Sequence, residues 1–248
     1  MERVIRDTFV ELWRKYFNHS ELPIAFFYAK EHGSAERAPK AGAWRCLIEE
    51  LSRVREGQAL AFEADSIGCP GGKRYTGFTQ KMMPNFEYFL SCGIPGKLEG
   101  ERYKKSPELV KEIMEKAPTL AAPARYIVFR RWDQLEEADH PEVVVFFAQP
   151  DVISGLFTLA NFDEADLNGV ATPFGSGCSS IVQHPYLEGR ASHPRAVMGM
   201  FDVSARPFVA RDVLTFAVPM AKFRLMVGNM DESFLITASW RKVQERIS

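Results

Sequence analysis

The sequence predicts an α+β fold, a mixed sheet flanked by helices in a single domain over residues 1–248. Three observations point there. Strand-like and helix-like segments alternate irregularly, which disfavours a doubly wound βαβ order. No fixed-period repeat and no low-complexity linker divides the chain. The best candidate for a joint is "APTLAAPAR", near residues 117–124, and the strand segments on either side of it are too few to bury two cores. With 46% hydrophobic and 25% charged residues, the 248-residue chain has the composition of an ordinary globular protein. Its 19 Phe predict a core or pocket rich in aromatic rings.

Each element follows from local pattern. Val4, Ile5, Phe9, Leu12, Trp13 and Tyr16 recur near helical spacing, so Val4 to Phe17 reads as an amphipathic helix. "PIAFFYAK", from Pro23, suits a buried strand, and "HGSAERAPKAG" a loop. "AWRCLIEELSRV" is helical from Ala43 to Val54, with Cys46 inside it and Gly57 beyond its end. "ALAFEA" is a strand. "DSIGCPGGKRYTGF" is a glycine-rich loop carrying Cys69. "NFEYFLSCG" is a short helix with Cys92 in its last turn, and "IPGKLEGERYKK" is a polar loop. "SPELVKEIMEKA" is a helix with a Ser cap and Pro at its first position. "RYIVFRR" and "EVVVFFA" are strands around the turn-rich "WDQLEEADHP". "VISGLFTLANF" is a helix capped by Asp151. The strand "GVATPF" leads into "GSGCSSIVQHPY", where Cys178 begins a helix. "RAVMGMFD" and "VLTFAVP" are strands, and "MAKFRLMVGNM" and "SFLITASWRKVQERI" are helices.

The formal net charge of −1 argues against a generalised nucleic-acid binder, which needs a basic surface. No run approaches the ~18 apolar residues of a membrane span. The opening "MERVIRDTFVELWRKYF" lacks the apolar core of a secretory signal. A cytoplasmic location is therefore expected, where thiols stay reduced. Four cysteines in such a chain are structural thiols, metal ligands or reactive groups rather than a disulfide scaffold.

Cys46, Cys69 and Cys92 are evenly spaced, but no metal motif has that interval; a C-x₂-C pair would be the strong signal. Ligation by Cys46, Cys69, Cys92 and Cys178 needs the fold to gather separate elements. Thiolates suit zinc or an iron–sulfur cluster, and Gly68, Gly71 and Gly72 would let backbone approach closely. A helix start at Cys178, and Arg45 beside Cys46, would each favour thiolate. Against this stands the ordinary fate of free cysteine as a small buried hydrophobe. His184 and His193 follow Cys178, but His184 does not share its helical face, as i+4 and i+7 would; it reads as a helix-terminal histidine before Pro185.

The loop has a second use. Across the Gly175–Ser180 turn, the backbone amides of Gly177, Cys178 and Ser179, with the hydroxyls of Ser176, Ser179 and Ser180, are expected to form an anion site, and Arg206 would be its forked partner. Ser176 acting simply as a helix cap is the competing reading. "CPGGKRYTGF" lacks the phosphate-loop pattern, and no dinucleotide fingerprint is present.

Taken in order, "PIAFFYAK", Arg45–Cys46, "GCPGGKRYTGF", "VVVFFAQPDVISGL", the glycine-rich segment at Cys178, and "FDVSARPFV" before "VLTFAVPMAKF" resemble the prokaryotic ArCR family, domain of unknown function 169. The resemblance runs from Pro23 to Phe223. It implies a mixed α/β domain of about this length and no particular reaction. Its cysteine pattern matches Cys46, Cys69 and Cys178, and Cys92 less securely. Two functions are expected on these grounds. One is a metal or iron–sulfur centre on the cysteines, with a small-ligand pocket at the Cys178 loop. The alternative is a non-catalytic protein binding a small anion, its thiols buried and inert. Neither identifies an enzyme, a ligand or an oligomeric state.

Overall fold

The structure, a computed structural model, describes residues 3–247. In chain order its elements are α1 (Arg3–Phe17), β1 (Ile24–Ala29), β2 (Glu36–Arg37), α2 (Leu47–Arg55), β3 (Leu60–Phe62), α3 (Pro70–Tyr75), α4 (Phe86–Phe89), α5 (Pro107–Lys116) and β4 (Tyr126–Arg131). They continue with β5 (Val143–Ala148), α6 (Pro150–Ala160), β6 (Val170–Ala171), a π-helix (Ser179–Gln183), α7 (His184–Glu188), β7 (Ala196–Gly199), β8 (Leu214–Pro219), α8 (Met220–Asn229) and α9 (Ala238–Gln244). The α+β class and the mixed sheet are as predicted.

Among the described residues, the strands join one eight-stranded sheet ordered β2-β3-β4-β1-β5-β8-β7-β6. Its interior pairs are antiparallel, while each two-residue edge strand, β2 and β6, is parallel to its neighbour. Such short edges offer little template for pairing with another chain. Alternation along the strands divides the core in two. Val144 and Phe146 of β5 face one side with Ala25, Phe27 and Val128, whereas Val143, Val145 and Phe147 face the other with Phe26, Ile127 and Phe129.

Helices α1, α6, α8 and α9 contribute to the first core, through side chains such as Trp13, Leu156, Phe223 and Trp240. It is strongly aromatic, as the Phe content predicts: Trp13 stacks on Phe17 at 4.3 Å between ring centroids, and Trp132 lies 4.8 Å from Phe223. Helix α2, the π-helix and α7 contribute to the second core through Leu47, Leu51, Ile181, Val182 and Tyr186. Cys46 and Cys178 belong to this second core.

Several boundaries depart from the sequence reading, and two of them matter for the thiols. Helix α2 begins at Leu47, so Cys46 is its extended N-cap residue and not an interior position. The glycine-rich loop contains α3, with Pro70 in its first turn and Cys69 as its cap. Proline at the helix start outweighs the poor propensity of the two glycines that follow. Helix α4 ends at Phe89, leaving Cys92 outside it just before Gly93, whose φ of 73° suits glycine. Asp151 lies in the first turn of α6, and Gln149 holds the cap position. The C-terminal segment is a short 3₁₀ turn, Phe234–Ile236, followed by α9, where Thr237 accepts from the Trp240 amide. The 117–124 segment is pinned to the body by Ala122 N–H donating to the Gly77 carbonyl and Gln183 Nε2 donating to the Pro118 carbonyl. Among the described residues, no helix is long and apolar enough to cross a membrane.

Candidate functional site

The segments that carry Cys46, Cys69 and Cys178 adjoin one another, and Cys46 and Cys178 lie in the core on the second face of the sheet. At Gly68 the strand-to-helix connections before Cys46 and Cys69 cross so closely that a Cβ there would stand 2.9 Å from the Arg45 amide nitrogen. A Cβ on Gly72 would stand 3.5 Å from Leu47 Cβ and 3.6 Å from Cys69 Cβ. One on Gly177 would stand 3.4 Å from Ile48 Cγ1 and 3.5 Å from Met200 Sδ. The starts of α2 and α3 and the Cys178 loop therefore pack against one another. Every pair among Cys46, Cys69 and Cys178 interacts electrostatically, and Asp202 acts on Cys46 and Cys178.

Cys46 and Cys69 are extended N-cap residues, whereas Cys178 has helical dihedrals and Ser176 caps its turn by accepting from the Ser179 amide. Cys69 Sγ accepts from the Gly72 amide at 3.4 Å. The Ile48 and Glu49 amides act on Cys46 in the lowering sense, although its sulfur makes no capping hydrogen bond. Burial dominates nonetheless. It pushes the Cys178 thiol well up, with Cys69, Cys46 and Asp202 adding to the rise, and it raises Cys46. The expectation that a helix start at Cys178 and Arg45 beside Cys46 favour thiolate is thus overturned by desolvation. Arg45 is exposed and pairs with Glu50 at 3.0 Å.

Cys92 stands apart. It is exposed, its Sγ lies 3.5 Å from the Gly93 carbonyl oxygen, and it is outside the second core that holds Cys46 and Cys178. His193 is exposed, and half-buried His184 is lowered by burial, opposed by Glu188. Among the described residues, no group of three or more His, Cys, Asp or Glu side chains is disposed to hold a metal ion.

The donors of the Cys178 loop are used internally. Gly177 N–H donates to Asp202 Oδ2 at 2.9 Å, and Ser179 N–H to Ser176 Oγ at 3.1 Å. Ser179 Oγ donates to the Ser176 carbonyl and Ser180 Oγ to the Gly177 carbonyl. A Cβ on Gly175 would meet Ser179 Oγ, which would have to turn away from the Ser176 carbonyl. Arg206 directs its guanidinium to the carbonyls of Ala210, Arg211 and Val213, bracing the loop before β8.

Sequence reasoning missed Asp202. Its Oδ1 accepts from Ser204 N–H at 3.0 Å and Ser204 Oγ at 2.7 Å, a turn that "DVS" signals locally. Its bond to Gly177 joins distant segments and has no such signal. Large apolar side chains are exposed nearby in sequence: Trp44, Phe174, Phe201 and Val203. A cavity of about 120 Å³ beside Cys46 is lined by Trp44, Arg45, Leu47, Phe62, Ile67 and Gly68, among others, and by none of the thiols.

No curated protein and no solved structure is found to match this chain. A family model does, over residues 14–229, and that span takes in all eight strands and every cysteine. The chain therefore belongs to the uncharacterised ArCR family, domain of unknown function 169.

Proposed function

We propose that this protein holds an iron–sulfur centre on Cys46, Cys69 and Cys178. The observation that carries the proposal is the adjacency of three thiol-bearing segments, the starts of α2 and α3 and the Cys178 loop, whose thiols act on one another electrostatically. Ligation would replace the thiol protons by metal charge and so relieve the burial penalty that keeps Cys46 and Cys178 neutral. A lone zinc ion needs all its thiolates within about 2.3 Å of one point. In a cluster each thiolate binds its own iron, so the three sulfurs need not surround a single position. The role would be redox chemistry or handling of a bound cofactor, in a cytoplasm that keeps the thiols reduced.

Two competing readings have less support. A free nucleophilic thiolate is disfavoured by the burial of Cys46 and Cys178. A small anion at Gly175–Ser180 would have to displace Asp202 from Gly177, without help from Arg206.

Anaerobic purification or reconstitution, followed by an absorption spectrum and assays of iron, zinc and sulfide, tests the proposal. Iron and sulfide in equal amounts are expected, lost in Cys46→Ala, Cys69→Ala and Cys178→Ala and retained in Cys92→Ala. A folded wild-type protein that takes up neither iron nor sulfide would sink it.

A further inference from the structure

We infer that the cavity beside Cys46 binds a small organic carboxylate with a short apolar body. The inference goes beyond the iron–sulfur reading and does not depend on it, since none of the thiols lines this space. Its apolar lining includes Leu47, Phe62 and Ile67, each buried in the second core. Trp44 also lines it, although it is 62% exposed, and leans on Phe208 with 6.2 Å between ring centroids. Buried apolar walls, an aromatic ring open to water and a few charged groups make up a small-molecule site. The cavity measures about 120 Å³. An apolar cavity of ~150 Å³ takes up benzene, so the ligand's body is no larger than a benzene-sized ring or a short branched chain.

Charge decides the class. Lys40, Arg45 and Glu50 are the charged residues of the lining. The Glu50 carboxylate is already held by Arg45 Nη1 at 3.0 Å and Arg53 Nη1 at 3.3 Å, so its charge is compensated. Arg45 reaches it through Nη1, which leaves the donors on Nε and Nη2 for a second carboxylate. Lys40 stands 3.7 Å from Asp65, beyond direct hydrogen-bond length. The Ser66 hydroxyl is engaged by the Glu63 backbone, so the polar end of a ligand falls to the two cations. A neutral ligand gains little from them and a cationic one is repelled. A carboxylate at Arg45, with its apolar body against Phe62 and Ile67, satisfies both halves of the lining.

Trp44 supplies the readout. Trp13, Trp132 and Trp240 are at most 3% exposed, so the neutral quencher acrylamide reports chiefly on Trp44. In the full chain, sodium benzoate is expected to protect Trp44 from acrylamide saturably, with the same Kd in titration calorimetry. Benzyl alcohol has the ring without the charge, and acetate the charge without the ring. Each is expected to bind about tenfold more weakly, and so is benzoate to Arg45→Gln. Arg53 still holds Glu50 in that variant, so the fold is retained. Equal affinity for benzoate and benzyl alcohol, or an Arg45→Gln protein that binds benzoate as wild type does, overturns the carboxylate assignment. Acetate that binds as tightly as benzoate overturns the apolar body. Benzoate that gives neither protection nor heat overturns the site itself, and none of these results bears on iron and sulfide uptake.

Discussion

Gly199, at the end of β7, packs closely against Ser180 of the π-helix. A methyl group there would fall well inside van der Waals contact with Ser180 Cβ and Oγ, and 3.2 Å from Thr215 Oγ1. Restoring an ordinary carbon–carbon separation requires roughly 1.5 Å of movement. Ser180 Cβ is fixed to the backbone, so the π-helix itself must shift. Ser180 Oγ would then lose its 2.9 Å bond to the Gly177 carbonyl, and Cys178 would be carried off its position. Overpacking costs about 1–3 kcal/mol and the lost hydrogen bond about 1 kcal/mol. Gly199→Ala should therefore destabilise the fold by ~2–4 kcal/mol, lowering Tm by about 4–16 °C for a chain of this size. Thermal unfolding followed by circular dichroism, with urea titration at fixed temperature, measures both. Adding Ser180→Gly removes the colliding atoms, so the double variant should recover part of the loss, with a coupling of ~1–3 kcal/mol. A Gly199→Ala protein as stable as wild type, or a double variant no better than the sum of the singles, would refute the close packing on which the site depends.

Two other outcomes follow from buried charge. In the metal-free protein, burial raises the Cys46 and Cys178 thiols, so the folded chain keeps protons that the unfolded chain releases. That contribution to stability is whole below the unfolded thiol value, about pH 8.5, and is lost as pH rises toward the folded values. Urea midpoints from neutral to about pH 10 should fall more steeply for wild type than for a Cys46→Ala, Cys178→Ala double variant; equal slopes would refute the assignment. On the opposite face, buried Arg130 pairs with buried Asp139 at 3.1 Å and with Glu136 at 2.9 Å. Arg130→Ala leaves the Asp139 carboxyl in the interior without that cation and should cost about 3–5 kcal/mol; a loss under about 1 kcal/mol in denaturant titration would contradict it.

Much of this architecture is legible from the sequence because secondary structure obeys local rules. The run "EVVVFFA" can be read as a strand buried on both faces, and β5 alternates between the two cores. The spacing of Phe9, Trp13 and Tyr16 marks the face of α1 that packs inward. The start of α3 carries the same proline signal as α5, masked by two glycines. The split before α9 and the two-residue strand β2 have weaker marks, since a single turn or two paired residues leave no periodicity.

What the sequence could determine by itself was the class of fold, most strands and helices, the family resemblance and the cysteines worth watching. Only the tertiary structure decided that the segments carrying Cys46, Cys69 and Cys178 adjoin while Cys92 is exposed, that Asp202 takes the Gly177 amide, and that Arg206 braces a neighbouring loop. The physical reason is range. A helix or strand is selected by residues a few positions apart, whereas the approach of separate thiol-bearing segments depends on strand order and on how tightly glycine positions let them pack. The acidity of those thiols is likewise a property of the assembled interior, where desolvation outweighs the amides and cations that adjoin them in the chain.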